Sequence, residues 1–540
     1  MRLKIFSILV ILNILALSLY GQTSDYTPEK RPKLVVGIVV DQMRYEYLPR
    51  FWSNFSDDGF KRLIDEGFSF TNHHYNYFPT YTGPGHAAIY TGTTPSVNGI
   101  IGNSWYQRKG KLGMYVVSDT TMKTIGADGN MGRMSPNNLL STTVTDELKQ
   151  AIPQSKVISV SIKDRGAVLP AGHLGDGAYW YDGNTGRFVS SSWYGDNLPV
   201  WVQDFNDNGL AKQYSTENWE PLLKIDEYKN SNKDNSPYEG TFGEEKEPIF
   251  PHPMDSSLSR IRTSPFGNSL VNKFAMTAIS SEQLGTDAAT DFLAVSFSST
   301  DYIGHRFGPN SIEVEDTYLR LDRNIVELLN HLDEKVGVGN YLVFLTSDHG
   351  VVDVPASLKD RGLPGGYFNS GVAFDSLQTY LNTSYGEGDW IEQYRNQQVY
   401  LNRNLISDQD ISLENMQHNV ARFLQRFPGV ASTNTAHNFE REAYSEGLQA
   451  MYQRGHYPER SGDVYIQLAP GWLDTSSPVG SSHGSPYSYD THVPLIFYGW
   501  NIPQGSSSEK TVIPQIAPTI SNMLQIEFPN GSDANILQFK

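Results

Sequence analysis

The chain reads as an α/β protein: a doubly wound, mostly parallel sheet covered by helices on both faces, with inserted loop-rich segments capping the active end. Two observations predict it. The first is a set of short, continuous apolar runs rich in β-branched residues, the pattern of strands buried on both faces. Residues 33–40 (KLVVGIVV) are the clearest, and residues 156–160, 291–297, 341–345 and 494–498 repeat the shape. The second is a helical pattern between such runs. Val314, Tyr318, Leu321, Ile325, Leu328 and Leu332 step by three and four along residues 312–335, which puts them on one helix face. Asn310 with Glu313 is read as the capping pair at its start. Strands alternating with helices imply a parallel sheet with both faces covered.

The chain has 540 residues, 39% of them hydrophobic and 12% aromatic, which suits a large folded core. Its formal net charge of -17 argues against broad nucleic-acid binding, which needs a basic face, but leaves room for a small basic pocket. There is no cysteine, so disulfides, thiolate zinc ligands and a cysteine nucleophile are excluded. Any metal has to be held by His, Asp and Glu.

Arg2 and Lys4 precede an apolar run over residues 5–19, and Gly21 follows closely. This is the pattern of a signal peptide over residues 1–21, cut after Gly21. The run is short for a bilayer span, which needs about 20 residues. The expectation is an exported protein, periplasmic or secreted, with no stable membrane insertion after cleavage. Residues 22–31 are then a flexible lead and residues 32–540 a catalytic domain. Residues 166–262 are read as an inserted, cap-like segment, because a hairpin at Tyr179–Gly186 gives way to a loop-rich stretch with Glu239, Glu244, Glu245 and Glu247. A second irregular part runs over about 350–463.

Four of the strand-like runs end in ionisable residues: Asp41, Lys163 with Arg165, Asp301, and Asp348 with His349. An Asp after one strand is an ordinary turn residue. In an open α/β sheet, however, ligands bind at the carboxyl ends of strands, and four such ends would meet there. His305 lies four residues beyond Asp301, and His483 sits in the loop SSHGS. Three Asp and three His can give two zinc ions three ligands each, with a position left open for water or substrate. Two metals about 3.5–4 Å apart suit in-line displacement at phosphorus. The segment FPTYTGPGHAAIY (residues 78–90) sets Thr82 at the mouth of a Gly-Pro-Gly helix entry, where backbone N–H groups and the helix dipole favour phosphate. Thr80 is the competing hydroxyl and, following Pro79, reads as a turn residue.

These segments resemble the alkaline phosphatase superfamily, and in particular the PafA-type alkaline phosphatases of Bacteroidetes-like bacteria. The blocks that carry the resemblance are VVDQMR at Asp41, PTYTGPGH at Thr82, GIIGNSWY at Asn103, SIKDR at Lys163, STDYIGHRFGPNSIEVEDTYLRLDR at Asp301, TSDHG at Asp348, SSHGSPYSYD at His483 and HVPLIFYGW at His492. The resemblance implies Asp301, His305 and His483 on a first zinc. It implies Asp41, Asp348 and His349 on a second, with Thr82 beside it, and Asn103, Lys163 and Arg165 on the phosphate oxygens. The implied activity is hydrolysis of small phosphate monoesters through a phosphothreonine on Thr82, with two Zn2+ per chain. The TGPGH segment is also similar to the T-x-P-N-H segment of nucleotide pyrophosphatase/phosphodiesterases, which makes a phosphodiesterase the alternative. A non-catalytic, zinc-dependent binding protein is a third reading. Lys163 and Arg165, two residues apart on an extended chain, are expected to face the same way. Phosphodiesterases of the superfamily typically lack this pair.

Overall fold

The computed structural model describes residues 31–540, so the signal-peptide reading over residues 1–21 and most of the lead lie outside the described residues. A ten-stranded sheet runs through the molecule. Its centre is five strands: β1 (Leu34–Val40), β2 (Val157–Ser161), β3 (Gly177–Asp182), β4 (Asp291–Phe297) and β5 (Tyr341–Thr346). They lie in the order β5-β1-β4-β2-β3, every neighbouring pair parallel. The flanks are antiparallel: Leu495–Gly499 pairs with β5 and Arg187–Ser191 with β3.

β1 explains why the central runs are apolar without interruption. Successive side chains of a strand point to opposite faces. Leu34, Val36, Ile38 and Val40 enter one core, Val35 and Val39 the other, and all seven residues of the strand are buried. The helices that matter for the site are α1 (Thr82–Thr91), α2 (Asp164–Ala171), α3 (Ser299–Phe307) and α4 (Ile312–Lys335). α4 has the span that its apolar stripe predicts, and Leu321, Ile325, Leu328 and Leu332 are fully buried. Its cap differs from the expected pair. Ser311 is the N-cap, its Oγ accepting from the Val314 N–H at 3.2 Å, while Asn310 donates to Asp353 instead.

The segment expected as a cap over 166–262 divides in two. Residues up to Ser191 form most of α2, then β3 and the antiparallel Arg187–Ser191 strand, so they extend the main sheet. The loop-rich remainder wraps α4. There Asp316 accepts from Trp219 Nε1 at 2.7 Å and from the Tyr228 hydroxyl at 2.6 Å. The second irregular part is not irregular. It holds an antiparallel sheet of β6 (Ile391–Arg395), β7 (Gln398–Leu401), β8 (Val430–Thr435) and β9 (Val464–Leu468), in the order β6-β7-β9-β8. Leu377, Trp390, Val420 and Ile466 belong to its own apolar core. β6 and most of β8 are only half-buried, so their sequences mix polar and apolar residues and leave no continuous run to read. Among the described residues no helix is long and apolar enough to cross a membrane.

Candidate active site

Because β5, β1, β4 and β2 are parallel neighbours, the residues that follow them meet at one edge of the sheet. Asp41 follows β1, Asp348 and His349 lie just beyond β5, and Asp301 sits in the first turn of α3 after β4. The ligand atoms of Asp41, Asp348 and His349 lie within 4.8 Å of one another, and so do those of Asp301, His349 and His483. His305 Nε2 is 3.1 Å from Asp301 Oδ1, and His483 Nε2 is 3.5 Å from the same oxygen. The His349 and His483 rings stack with centroids 3.5 Å apart, which is why His349 adjoins both groups.

The imidazoles are aimed by the backbone. Nδ1 of His305, His349 and His483 donates to the carbonyls of Ser481, Gly350 and Thr80, at 2.8, 2.9 and 2.8 Å. A carbonyl can only accept, so in the neutral ring the proton sits on Nδ1 and the Nε2 lone pair faces the centre. His349 Nε2, Asp41 Oδ1 and Asp348 Oδ2 are buried there without a hydrogen-bond partner. Burial lowers the His349 pKa to about 4, and burial with the neighbouring imidazoles holds His483 well down, so both rings stay in the neutral, ligating form. Burial and the Asp41 charge push the Asp348 carboxyl well above its ordinary range. Burial also opposes ionisation of Asp301, but His305 and Lys163 outweigh it and hold that carboxyl well below. Orphaned carboxylate oxygens, a free Nε2 and crowded negative charge are what a metal cation would satisfy, and the donor set fits one.

Thr82 is the first residue of α1 and is almost fully buried. The helix comes so close to the Asp348 backbone that a Cβ at Gly85 would stand 2.4 Å from the Asp348 carbonyl oxygen, so only glycine fits there. Asn103 Oδ1 accepts from the Gly83 N–H at 2.7 Å and fixes the helix mouth. Lys163 Nζ lies 2.6 Å from both Asp41 Oδ2 and Asp301 Oδ2, and 3.5 Å from Thr82 Oγ1. Arg165 Nη2 is also 3.5 Å from Thr82 Oγ1. The two cations do not converge by strand alternation. β2 ends at Ser161, Lys163 is the N-cap of α2, and Arg165 lies in the first turn of that helix. Thr80 faces elsewhere: its hydroxyl donates to the Ser485 carbonyl at 2.9 Å. His86 bridges the Thr82 carbonyl and Ser296 Oγ, both at 3.0 Å.

Four neighbours carried no readable signal of their own. Gln42 has a left-handed backbone (φ 66°). Its N–H donates to Asp348 Oδ1 at 3.1 Å and its Nε2 to Asp301 Oδ1 at 2.7 Å. Tyr115 accepts from Arg165 Nη1 at 3.0 Å and donates to Asp164. Asn396, at the tip of the β6–β7 hairpin, donates to the Ser104 carbonyl at 2.7 Å, and Arg395 donates to Ser104 Oγ at 2.6 Å. The hairpin thereby braces the loop that carries Asn103. Only for Gln42 did position offer a hint, since it follows Asp41 directly.

A family model described as type I phosphodiesterase / nucleotide pyrophosphatase matches residues 35–488. Alkaline phosphatase PafA of Elizabethkingia meningoseptica is 42% identical over 531 residues, covering 97% of each chain. Alkaline phosphatase PhoV of Synechococcus elongatus is 44% identical over 512 residues, covering 94% of this chain and 92% of that one. A crystal structure of wild-type PafA superposes with a TM-score of 0.90 at 42% identity, covering 94% of this chain and 98% of the other. The chain belongs to the alkaline phosphatase superfamily, among its PafA-type enzymes. It is a phosphoric monoester hydrolase of that type, and a metal cofactor belongs to it. The doubly wound sheet read from the sequence is the fold of this family.

Proposed function

We propose that this PafA-type enzyme is an exported two-zinc phosphatase in which Thr82 is the nucleophile and turnover passes through a phosphothreonine. The observation that carries the reading is the placement of Thr82 Oγ1. It lies at the N-terminus of a buried helix, 3.5 Å from both Lys163 Nζ and Arg165 Nη2, beside the converging His and Asp set. Asp301, His305 and His483 would hold one zinc and Asp41, Asp348 and His349 the other. When bound, the ions would supply Lewis acidity that favours the ionised hydroxyl and offsets charge on the leaving oxygen.

The chain's own groups do the rest. The Thr82 oxygen forms a bond to phosphorus as the ester P–O bond breaks. Water then attacks the same phosphorus, which releases inorganic phosphate and restores the Thr82 hydroxyl. Arg165 offers a fork of N–H donors and Lys163 a point charge to the phosphoryl oxygens. Asn103 Oδ1 is committed to Gly83, so what Asn103 offers the substrate is its amide N–H. These donors are fixed before substrate arrives, which is the condition for stabilising charge that develops during transfer. Export rests on the basic start, apolar run and small residue at positions 2–21.

The test is metal analysis paired with rates on one preparation. Two zinc ions per chain are expected. Asp301→Ala or His305→Ala should empty or weaken the first site and stop turnover. Full activity with unchanged metal content in either variant would overturn the assignment. The Gln42 side chain donates to Asp301, so Gln42→Ala should weaken zinc retention at the first site about 10–100-fold in competition with a chelator, the usual cost of losing a partner behind a ligand. Zinc retention equal to that of the unmodified enzyme would remove Gln42 from this role. A diesterase is the second reading, favoured by the family model that matches and by the Thr82-Gly-Pro-Gly-His segment.

A further inference from the structure

Two groups beside Thr82 are carried by one hairpin. Its antiparallel strands are Ser104–Gln107 and Leu112–Tyr115, and Ser104 lies directly opposite Tyr115. Asn103 precedes the first strand, and its carbonyl accepts from the Val116 N–H at 3.0 Å, just beyond the second. The base of the hairpin thus presents Asn103, which holds the Gly83 N–H at the helix mouth, and the Tyr115 hydroxyl, which accepts from Arg165 Nη1 at 3.0 Å. The two strands form a small sheet of their own, apart from the ten-stranded one. A lone two-stranded hairpin is marginal in water, so this one needs support from outside.

The support comes from the β6–β9 sheet. Arg395 pairs with Gln398 across the β6–β7 ladder, which leaves Asn396 and Gln397 as a two-residue turn. Both have positive φ, 53° and 57°, as a type I′ turn requires, and asparagine is favoured there. The Ile466 N–H of β9 donates to the Gln397 carbonyl at 2.8 Å and ties the turn to the sheet behind it. From this fixed tip two side chains reach one residue: Asn396 Nδ2 donates to the Ser104 carbonyl at 2.7 Å, and Arg395 Nη1 to Ser104 Oγ at 2.6 Å. The tip also closes on the residue before Asn103. A Cβ on Gly102 would stand 2.5 Å from Asn396 Nδ2, so the amide keeps its place only beside glycine. At the far end of the first strand, Arg108 Nη2 donates at 2.8 Å to Asp463, which is fully buried just before β9.

We propose that Arg395 and Asn396 are positioning residues for phosphate recognition: by gripping Ser104 they set Asn103 and, through Tyr115, Arg165, and so help to determine the preference for monoesters. This rests on the phosphate roles proposed above for Asn103 and Arg165. Ser104 is bonded to Asn103 and faces Tyr115 across the ladder, so a shift of its backbone moves both groups together. A displacement of about 1 Å, even one that starts far from the chemistry, can cost roughly 10^2-fold in rate. Asp41, Asp301, His305, Asp348, His349 and His483 hang from other segments of the chain, so the metal set should be spared.

The experiment uses the full, metal-loaded enzyme. Asn396→Gly keeps a residue suited to positive φ and removes the amide, whereas Arg395→Ala leaves the turn intact and removes the other donor. Each should lower kcat/KM for p-nitrophenyl phosphate about 10–100-fold and weaken inhibition by inorganic phosphate. The rate on bis(p-nitrophenyl) phosphate should fall much less, and metal content should be unchanged. Added to the double variant Asn103→Ala/Arg165→Ala, in which the positioned groups are already gone, Asn396→Gly should cost almost nothing further. Full monoester activity in both Asn396→Gly and Arg395→Ala would overturn the proposal. Equal losses on the two esters, or a loss undiminished in the Asn103→Ala/Arg165→Ala background, would overturn it as well, by marking the turn as a general support of the fold. Arg165→Ala alone separates the two possible failures: if that variant is impaired on the monoester while the turn variants are not, the positioning role falls and the proposed function stands.

Discussion

Thr82→Ala is expected to reduce monoester turnover by roughly 10^4-fold or more, because loss of a nucleophile removes the covalent route outright. Zinc content should stay near normal. The Thr82 hydroxyl makes only two long contacts, at 3.5 Å to Lys163 and to Arg165, whereas the proposed ligands are oriented by other groups. Thr82→Ser keeps an oxygen at the same place and should retain a substantial part of the rate. Mass spectrometry of acid-quenched enzyme should find phosphate on the peptide that contains Thr82. Phosphate on Thr80 would overturn the choice of nucleophile, and with it the significance of Thr80 being turned toward the Ser485 carbonyl. A Thr82→Ala variant that lost its zinc as well would show the hydroxyl to be part of the metal site.

How far the site could be read in advance follows from the physics of its parts. The central strands are legible because burial on both faces forces an uninterrupted apolar run, and the switch to Asp41, Asp301 or Asp348 marks where the chain leaves the core. α4 is legible because one face of a long helix has to repeat every three to four residues. What escaped were features set by the partner and not by the residue. Asn396 braces the Asn103 loop from 292 residues beyond Ser104, and no local pattern announces that contact. Gln42 matters because its backbone is left-handed, its N–H reaches Asp348 and its side-chain amide reaches Asp301. Strands β6 and β8 escaped because half-buried strands carry mixed sequences. The entry of α2 directly after β2 changed how Lys163 and Arg165 converge, although the expectation that they share a side holds.

Under the proposed function that pair is expected to set which ester the enzyme prefers, with a large and selective effect. A monoester carries up to two negative charges on three terminal oxygens; a diester carries one and replaces an oxygen with an organic group. Removing a preorganised donor from developing charge costs about 10^2–10^3 in rate. Replacing both Lys163 and Arg165 with Ala should therefore lower monoester kcat/KM by roughly 10^3–10^5, the two effects being coupled because the groups share the Thr82 oxygen. Diester turnover should fall much less, since the cations have less charge to stabilise there. The substitutions are not equivalent. Lys163 lies 2.6 Å from Asp41 and from Asp301, so Lys163→Ala leaves two buried carboxylates without their cation and should cost about 3–5 kcal/mol of stability in metal-free protein. Burial opposes the charge on Lys163, but Asp301 and Asp41 raise its pKa, so it stays cationic at any pH of interest. Arg165 touches none of the proposed ligand carboxylates within hydrogen-bond distance; its guanidinium contacts Tyr115 and Thr82, and its backbone N–H donates to Asp164. Arg165→Ala alone is thus the cleaner probe of substrate recognition, and its zinc content should be unchanged. If it lowered monoester and diester rates equally, Arg165 would be supporting the fold around Tyr115 and not gripping phosphate. If the unmodified enzyme itself preferred diesters, the diesterase reading would replace the one proposed.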